Sequence, residues 1–245
     1  MVSNLLGNEM IKNNNWSEIL ELDDPEEALR QANTHARGKK VFTTSFSKED
    51  QILTYLIARN NLDIEIVTLD TGRQFEETYQ LHHNTEEWLN IKIKTFFPNS
   101  KSLESLYETQ GPNGFYSSIA NRQNCCEVRK SLPLKEALKD TKLWITGLRA
   151  SQSELRNSMK IWEQDDYRNL IKFNPIFNWD DNQVDHFIDK NQIPINTLYN
   201  QGYTSIGCAP CTRPIKPGEH SRAGRWWWEE SKKECGLHLK PNNDL

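Results

Sequence analysis

The sequence predicts an α/β fold: a mainly parallel, twisted sheet with helices on both faces, followed by a loop-rich C-terminal tail. Three observations carry this. β-prone runs alternate with amphipathic helical stretches from residue 41 to 146, the order that builds parallel βαβ units. The 245 residues suffice for one large or two small domains with a proper core. After Tyr203 the periodicity fades, while Gly202, Gly207, Pro210, Pro214, Pro217, Gly218 and Gly224 mark loops.

The elements follow in order. Residues 16–35 read as one or two short helices, with Asp23, Asp24 and Pro25 as a stop and restart. Val41–Ser45 is the first strand, after the turn-like Gly38. Lys48–Asn60 is helical, because Ile52, Leu53, Leu56 and Ile57 share one face. Ile64–Leu69 is the second strand, Phe75–Leu89 the second amphipathic helix and Ile91–Phe96 the third strand. A short helix is expected around Ser102–Tyr107. Another ends over Leu134–Leu138, before a strand at Leu143–Thr146. Asp180 caps a helix running to Asn191. In such sheets ligands sit at the carboxyl ends of the strands.

Composition excludes several classes. There are 30 Lys and Arg against 34 Asp and Glu, a net charge of -4, which argues against a dedicated nucleic-acid binder. Mean hydropathy is -0.78, and no apolar run approaches a membrane span. Met1–Trp16 lacks the apolar core of a signal peptide, so a cytoplasmic protein is expected. Five cysteines, none of them in the first 124 residues, do not read as a disulfide framework.

Four places carry chemistry. The hydroxyl-rich turn Thr43–Asp50 opens a helix and suits a phosphate, although simple N-capping by Ser47 is the commoner use of such a pattern. Leu69-Asp70-Thr71-Gly72-Arg73 puts a hydroxyl, a glycine and a cation at the end of strand two. Cys125-Cys126 and Cys208-Ala209-Pro210-Cys211 make two cysteine pairs about eighty residues apart. Zinc, an iron–sulfur cluster and a vicinal disulfide are the alternatives. Adjacent Cα atoms lie only about 3.8 Å apart, so two neighbouring thiolates fit separate corners of a 4Fe–4S cube better than one zinc ion. Lys130, four residues after Cys126, would share its helical face. Finally, Cys235 is left over, downstream of Arg213, Arg222 and Arg225, whose charges would favour its thiolate. Trp226-Trp227-Trp228 cannot all face one way.

Together these segments resemble the assimilatory sulfonucleotide reductases, in particular the iron–sulfur type that reduces adenylyl sulfate. The resemblance runs from Val41 to His238. It rests on Ser45-Phe46-Ser47 through Asp50, Leu69-Asp70-Thr71-Gly72, Cys125-Cys126 with Arg129-Lys130, and Ile145-Thr146-Gly147-Leu148-Arg149 with Gln152-Ser153. It continues through Cys208-Ala209-Pro210-Cys211-Thr212-Arg213-Pro214, Arg222 with Gly224-Arg225-Trp226-Trp227-Trp228-Glu229, and Glu234-Cys235-Gly236-Leu237-His238. The related ATP-splitting adenine nucleotide α-hydrolases carry Ser-Gly-Gly-x-Asp-Ser at the first turn. Here Phe46 and Ser47 replace the glycines, which disfavours a pyrophosphate ligand.

The resemblance implies thioredoxin-dependent reduction of adenylyl sulfate to sulfite and AMP, in sulfate assimilation toward cysteine. Ser45 and Ser47 would contact phosphate, and Leu69, Thr71 and Gly72 would line the adenosine pocket. Lys130, Arg149, Arg222 and Arg225 would neutralise the phosphosulfate. Cys235 would be the nucleophile, with His238 orienting or protonating nearby groups. Cys125, Cys126, Cys208 and Cys211 would hold one 4Fe–4S cluster that carries no electrons. The expected partners are thioredoxin or a glutaredoxin-like donor and the nucleotide, with no nucleic acid and no membrane; self-association stays open. The expected division is a helical segment 1–36, a nucleotide-binding α/β domain 37–203 and a segment 204–245, together one structural domain. Reduction of the 3′-phosphorylated nucleotide, tRNA thiolation and a zinc-stabilised binding module are the competing readings.

Overall fold

The computed structural model describes residues 23–152 and 159–229. Its centre is a six-stranded sheet: β1 (Lys39–Thr44), β2 (Glu65–Leu69), β3 (Lys94–Phe96), β4 (Thr141–Ile145), β5 (Trp162–Asp165) and β6 (Leu170–Phe173). The spatial order is β3-β2-β1-β4-β6-β5. All neighbours are parallel except β5 and β6. The helices are α1 (Pro25–His35), α2 (Lys48–Arg59), α3 (Glu76–Leu89), α4 (Ser100–Gln110), α5 (Ile119–Cys126), α6 (Leu132–Ala137) and α7 (Asp181–Asn191).

β1 shows why the sheet is covered on both faces. Phe42 points into a core shared with Leu29 of α1, Leu53 and Leu56 of α2, Leu81 of α3 and Ile188 of α7. Its neighbour Val41 points the other way, onto Trp144, Leu134 and Ala137. Successive strand residues face opposite sides, so a run apolar at consecutive positions needs cover on both. The chain leaves β1 toward β2 and β3, then returns to β4 on the opposite side of β1. That reversal opens a crevice beyond the carboxyl ends of β1 and β4.

Several expected elements differ at their ends. The third strand keeps only Lys94–Phe96. The short helix starts earlier, at Ser100, because the Asn99 side chain caps it. Phe75 is the N-cap residue of α3 rather than its first turn. α7 begins at Asp181 with a reciprocal cap between Asp180 and Gln183. The part of the 16–35 expectation before residue 23 lies outside the described residues. Among the elements absent from the sequence reading is the β5–β6 hairpin, which adds the antiparallel edge and stacks Trp162 on Phe173 at 3.8 Å.

Candidate active site

The crevice at the strand ends is a cleft of about 530 Å³. Ser45, Ser47, Leu69, Thr71, Lys130, Arg149, Arg222 and Arg225 all line it. Gly72 does not. Its N–H bonds Asp70 Oδ1 at 2.7 Å, and its φ of 68° serves the turn that leads away from β2. Cys235 and His238 lie outside the described residues.

The first turn keeps a glycine-like backbone without glycine. Phe46 adopts φ 59°, its ring is buried, and it packs on His82 at 4.8 Å. Its N–H bonds Thr44 Oγ1. Buried ring packing offsets the cost of the left-handed conformation. Ser47 caps α2 by accepting from Asp50 N–H at 3.2 Å, so the capping use is present alongside its place on the cleft wall. Ser45 donates both its N–H and its hydroxyl to Asp50 Oδ2, at 2.6 and 2.7 Å. Burial pushes the Asp50 carboxyl up to about 6; the two Ser45 bonds oppose this and Glu49 adds to it.

Arg149 is committed inside the protein. It pairs with buried Glu49 at 2.7 Å and with exposed Asp181 at 2.7 Å. Its Nη1 also donates to Trp179 O. Arg149 thus reaches the cleft with its charge largely balanced. Arg225 is less constrained in charge: its ring-stacked guanidinium lies 4.9 Å from the Trp226 ring, and its buried Nε has no hydrogen-bond partner.

The cysteine pairs come together beside this cleft. Cys125, Cys126, Cys208 and Cys211 line one small cavity with Lys130, Arg122 and Arg129. Cys208 and Lys130 line both that cavity and the cleft. α5 ends at Cys126 and runs into a π-helical turn, Glu127–Ser131, before α6. Such turns interrupt helices frequently at functional sites. The second pair is fixed by backbone bonds: Ala209 N–H to Arg73 O at 2.8 Å and Trp226 N–H to Cys211 O at 3.1 Å. The Thr71 hydroxyl meets Cys208 Sγ at 3.3 Å, which ties the end of β2 to this loop.

Burial raises the Cys125 thiol and pushes Cys211 up to about 12. Burial acts the same way on Cys208. There Lys130, the Thr71 hydroxyl, Arg225 and Arg129 outweigh it and hold the thiol below its ordinary value. None of the four is in a disulfide. Among the described residues no three His, Cys, Asp or Glu side chains are grouped to hold a metal ion. Consecutive side chains on a helix diverge by about 100°, so Cys125 and Cys126 suit separate corners of a cluster. The donor set fits a four-thiolate group of that kind.

Other residues join the site without a role expected from the sequence, and Arg122 was not singled out there at all. Arg129 donates to Thr71 O at 2.6 Å and stacks on Tyr107 at 5.7 Å. Arg122 pairs with Glu229 at 2.5 Å, both buried, and stacks on Trp226 at 4.4 Å. Trp226 is buried and Trp227 exposed, while Trp228 packs on Tyr116 at 4.5 Å. The one sequence signal for Arg122 was its position four residues before Cys126 on a helix.

The fold agrees with the comparisons. Residues 39–214 match the phosphoadenosine phosphosulfate reductase domain. An adenosine 5′-phosphosulfate reductase of Sinorhizobium fredii (strain USDA 257) is 50% identical over 203 residues, 82% of this chain and 81% of that one. The protein of that name from Allochromatium vinosum is 47% identical over 201 residues, 82% and 78% of the two chains. The crystal structure of phosphoadenylyl-sulfate (PAPS) reductase from Candida auris superposes with a TM-score of 0.67 at 26% identity, covering 78% of this chain and 91% of that one. Candida glabrata FMN adenylyltransferase, at 13% identity and a TM-score of 0.51 over 99% of this chain and 84% of its own, shares the fold alone. The chain belongs to the phosphoadenosine phosphosulfate reductase family, in the branch of the adenosine 5′-phosphosulfate reductases.

Proposed function

We propose that the chain reduces adenylyl sulfate to sulfite and AMP with electrons from thioredoxin or a glutaredoxin-like donor, through an S-sulfonate on Cys235. The observation that carries this reading is the sharing of Cys208 and Lys130 between the four-cysteine cavity and the anion-sized cleft. The substrate is doubly charged, and the attacking thiolate is a third negative charge. Lys130, Arg222 and Arg225 on the cleft wall supply the positive charge that this encounter needs. Arg149 contributes shape and hydrogen bonds more than charge, since Glu49 and Asp181 already balance it. Of the residues lining the cleft, we assign Leu69 and Thr71 to the adenosine and Ser45 and Ser47 to the phosphate.

In the first step the Cys235 thiolate attacks the sulfate sulfur. The sulfur–oxygen bond to the phosphate breaks, and AMP leaves with that electron pair. In the second step a thiolate of the donor attacks Cys235 Sγ. Sulfite leaves with the electron pair of the sulfur–sulfur bond, and the donor's second thiol then frees Cys235 as the donor becomes a disulfide. His238 would serve as a proton donor or orienting group beside Cys235. Cys125, Cys126, Cys208 and Cys211 would hold a 4Fe–4S cluster, which when bound supplies fixed charge beside the cleft and no electrons. The chemistry fits a reducing cytoplasm. Among the described residues no helix is long and apolar enough to cross a membrane.

The test is anaerobic. Adenylyl sulfate is added without a thiol donor, and the intact mass and its peptide map are read. One sulfo group on Cys235 is the expected result. An adduct only with the 3′-phosphorylated nucleotide would change the substrate, and a bare Cys235 with either would overturn the reading.

A further inference from the structure

Ser45 has one hydroxyl proton to give, and it goes to Asp50 Oδ2, as does its N–H. Asp50 is buried and makes no ion pair among the described residues. Its Oδ1 lies so close to Gly147 that a Cβ there would collide with it. The carboxylate is therefore wedged between the phosphate-side turn and the loop after β4. The charged groups facing it from each neighbouring element are already engaged. On α2 itself, Lys48 pairs with Asp185 of α7 at 2.6 Å. Glu49 pairs with Arg149 of the β4 loop, which also holds Asp181 of α7. Tyr199 presents a neutral hydroxyl that accepts from Lys48 N–H at 3.4 Å, and burial holds its own proton on.

An anion arriving at Ser45 meets a hydroxyl whose proton points away and a buried carboxylate directly behind it. Two like charges cannot share that spot without a cation between them. Breaking the Ser45 bonds would leave the carboxylate buried and unsatisfied. A proton on Asp50 resolves both problems. The carboxyl then donates to Ser45 Oγ, and Ser45 donates its own proton to the ligand.

We propose that binding of the phosphosulfate is coupled to uptake of one proton from solvent by Asp50, which reverses the Asp50–Ser45 hydrogen bond and turns the Ser45 hydroxyl toward the ligand. The balance is simple: one proton leaves water, one carboxylate becomes a carboxyl, and no electrons move. This rests on the reading of the cleft as the phosphosulfate site. Asp50 is a positioning residue, since it acts through Ser45. The burial that already lifts its carboxyl to about 6 puts the neutral form within reach near neutral pH.

The experiment is calorimetric titration of adenylyl sulfate into the cluster-loaded Cys235→Ala protein, which cannot form the adduct. It is run near neutral pH in buffers of different protonation enthalpy. The expected slope is about one proton taken up per ligand, with affinity falling about tenfold per pH unit above neutrality. Asp50→Asn in the same background should bind with a slope near zero. Should that variant fail to fold, infrared difference spectra of the Asp50-containing protein decide. Ligand must then produce the carbonyl band of a protonated carboxyl, one that shifts with isotope-labelled aspartate and that no histidine gives. Binding without proton uptake or without that band overturns the coupling and leaves the site reading intact. No binding at all to iron-loaded protein overturns the site reading itself.

Discussion

At the scale of single residues, the two partners of Arg149 separate stability from surface decoration. Glu49 is buried with it, so Glu49→Ala leaves the buried guanidinium without its buried counter-charge, with only the exposed Asp181 as an ionic partner, and should cost about 3–5 kcal/mol in denaturant unfolding. Asp181 is 85% exposed, so Asp181→Ala should cost at most about 1 kcal/mol. Equal costs would mean that Arg149 is held by something other than Glu49. Asp50 gives a pH signature with a definite sign. Its folded carboxyl lies near 6, above the ordinary 3.8. The folded state therefore binds the proton more tightly than the unfolded chain. Its stabilising contribution is fully present below about pH 4 and is lost as pH rises through about 6. Wild type should lose stability relative to Asp50→Asn across that window; a constant gap would rule out this titration. Lys130→Ala should keep the fold and the proposed cluster but lose most turnover, because Lys130 borders both cavities. Unchanged turnover would remove it from the mechanism.

Elements place these residues, and the segments on either side of the second cysteine pair show how. Gly207 sits where a Cβ would run into the Arg225 guanidinium. The obstructing atoms end a long side chain, so Gly207→Ala should swing Arg225 rather than break the loop. Weaker adenylyl sulfate binding with the proposed cluster retained is the expected outcome. Loss of iron would show that the cysteines moved instead. Gly224 offers no such escape, since its Cβ would meet the backbone carbonyl of Arg213. Much of this level was legible beforehand. β1 and β2 announce themselves through apolar runs, and α2 and α7 through one-sided periodicity and a capping aspartate. The β5–β6 hairpin was not legible, because Trp162-Glu163-Gln164-Asp165 shows no β-prone run and its partner is only four residues long. The π-helical turn after Cys126 was equally hidden: nothing in Glu127–Ser131 departs from an ordinary helical composition. The cysteine pairs were legible from spacing, and the Arg149–Glu49 pair was not, because a contact across 100 positions leaves no local pattern.

Over the whole molecule, Arg122 and Glu229 join parts of the chain 107 residues apart. Arg122 lies on the helix that ends in Cys125-Cys126, and Glu229 closes the described part of the C-terminal segment. Cys235 is six residues further along, so even a fully extended chain keeps it within about 20 Å of Glu229. The buried pair thus fixes the point from which the chain runs on to Cys235, and it ties that point to the first cysteine pair. Glu229→Gln keeps a hydrogen-bond acceptor for Arg122 and removes the charge. It should leave nucleotide affinity unchanged and slow the proposed sulfo transfer to Cys235 by about ten- to a hundredfold, since misplacement of a reacting group by an ångström has effects of that size. Rapid-mix quenching with mass detection of the adduct reads the rate, and calorimetry in the Cys235→Ala background reads the affinity. A rate that stays at the wild-type value would show that the tail finds the cleft without this anchor. A fall in affinity equal to the fall in rate would show instead that Glu229 shapes the cleft and not the approach of Cys235.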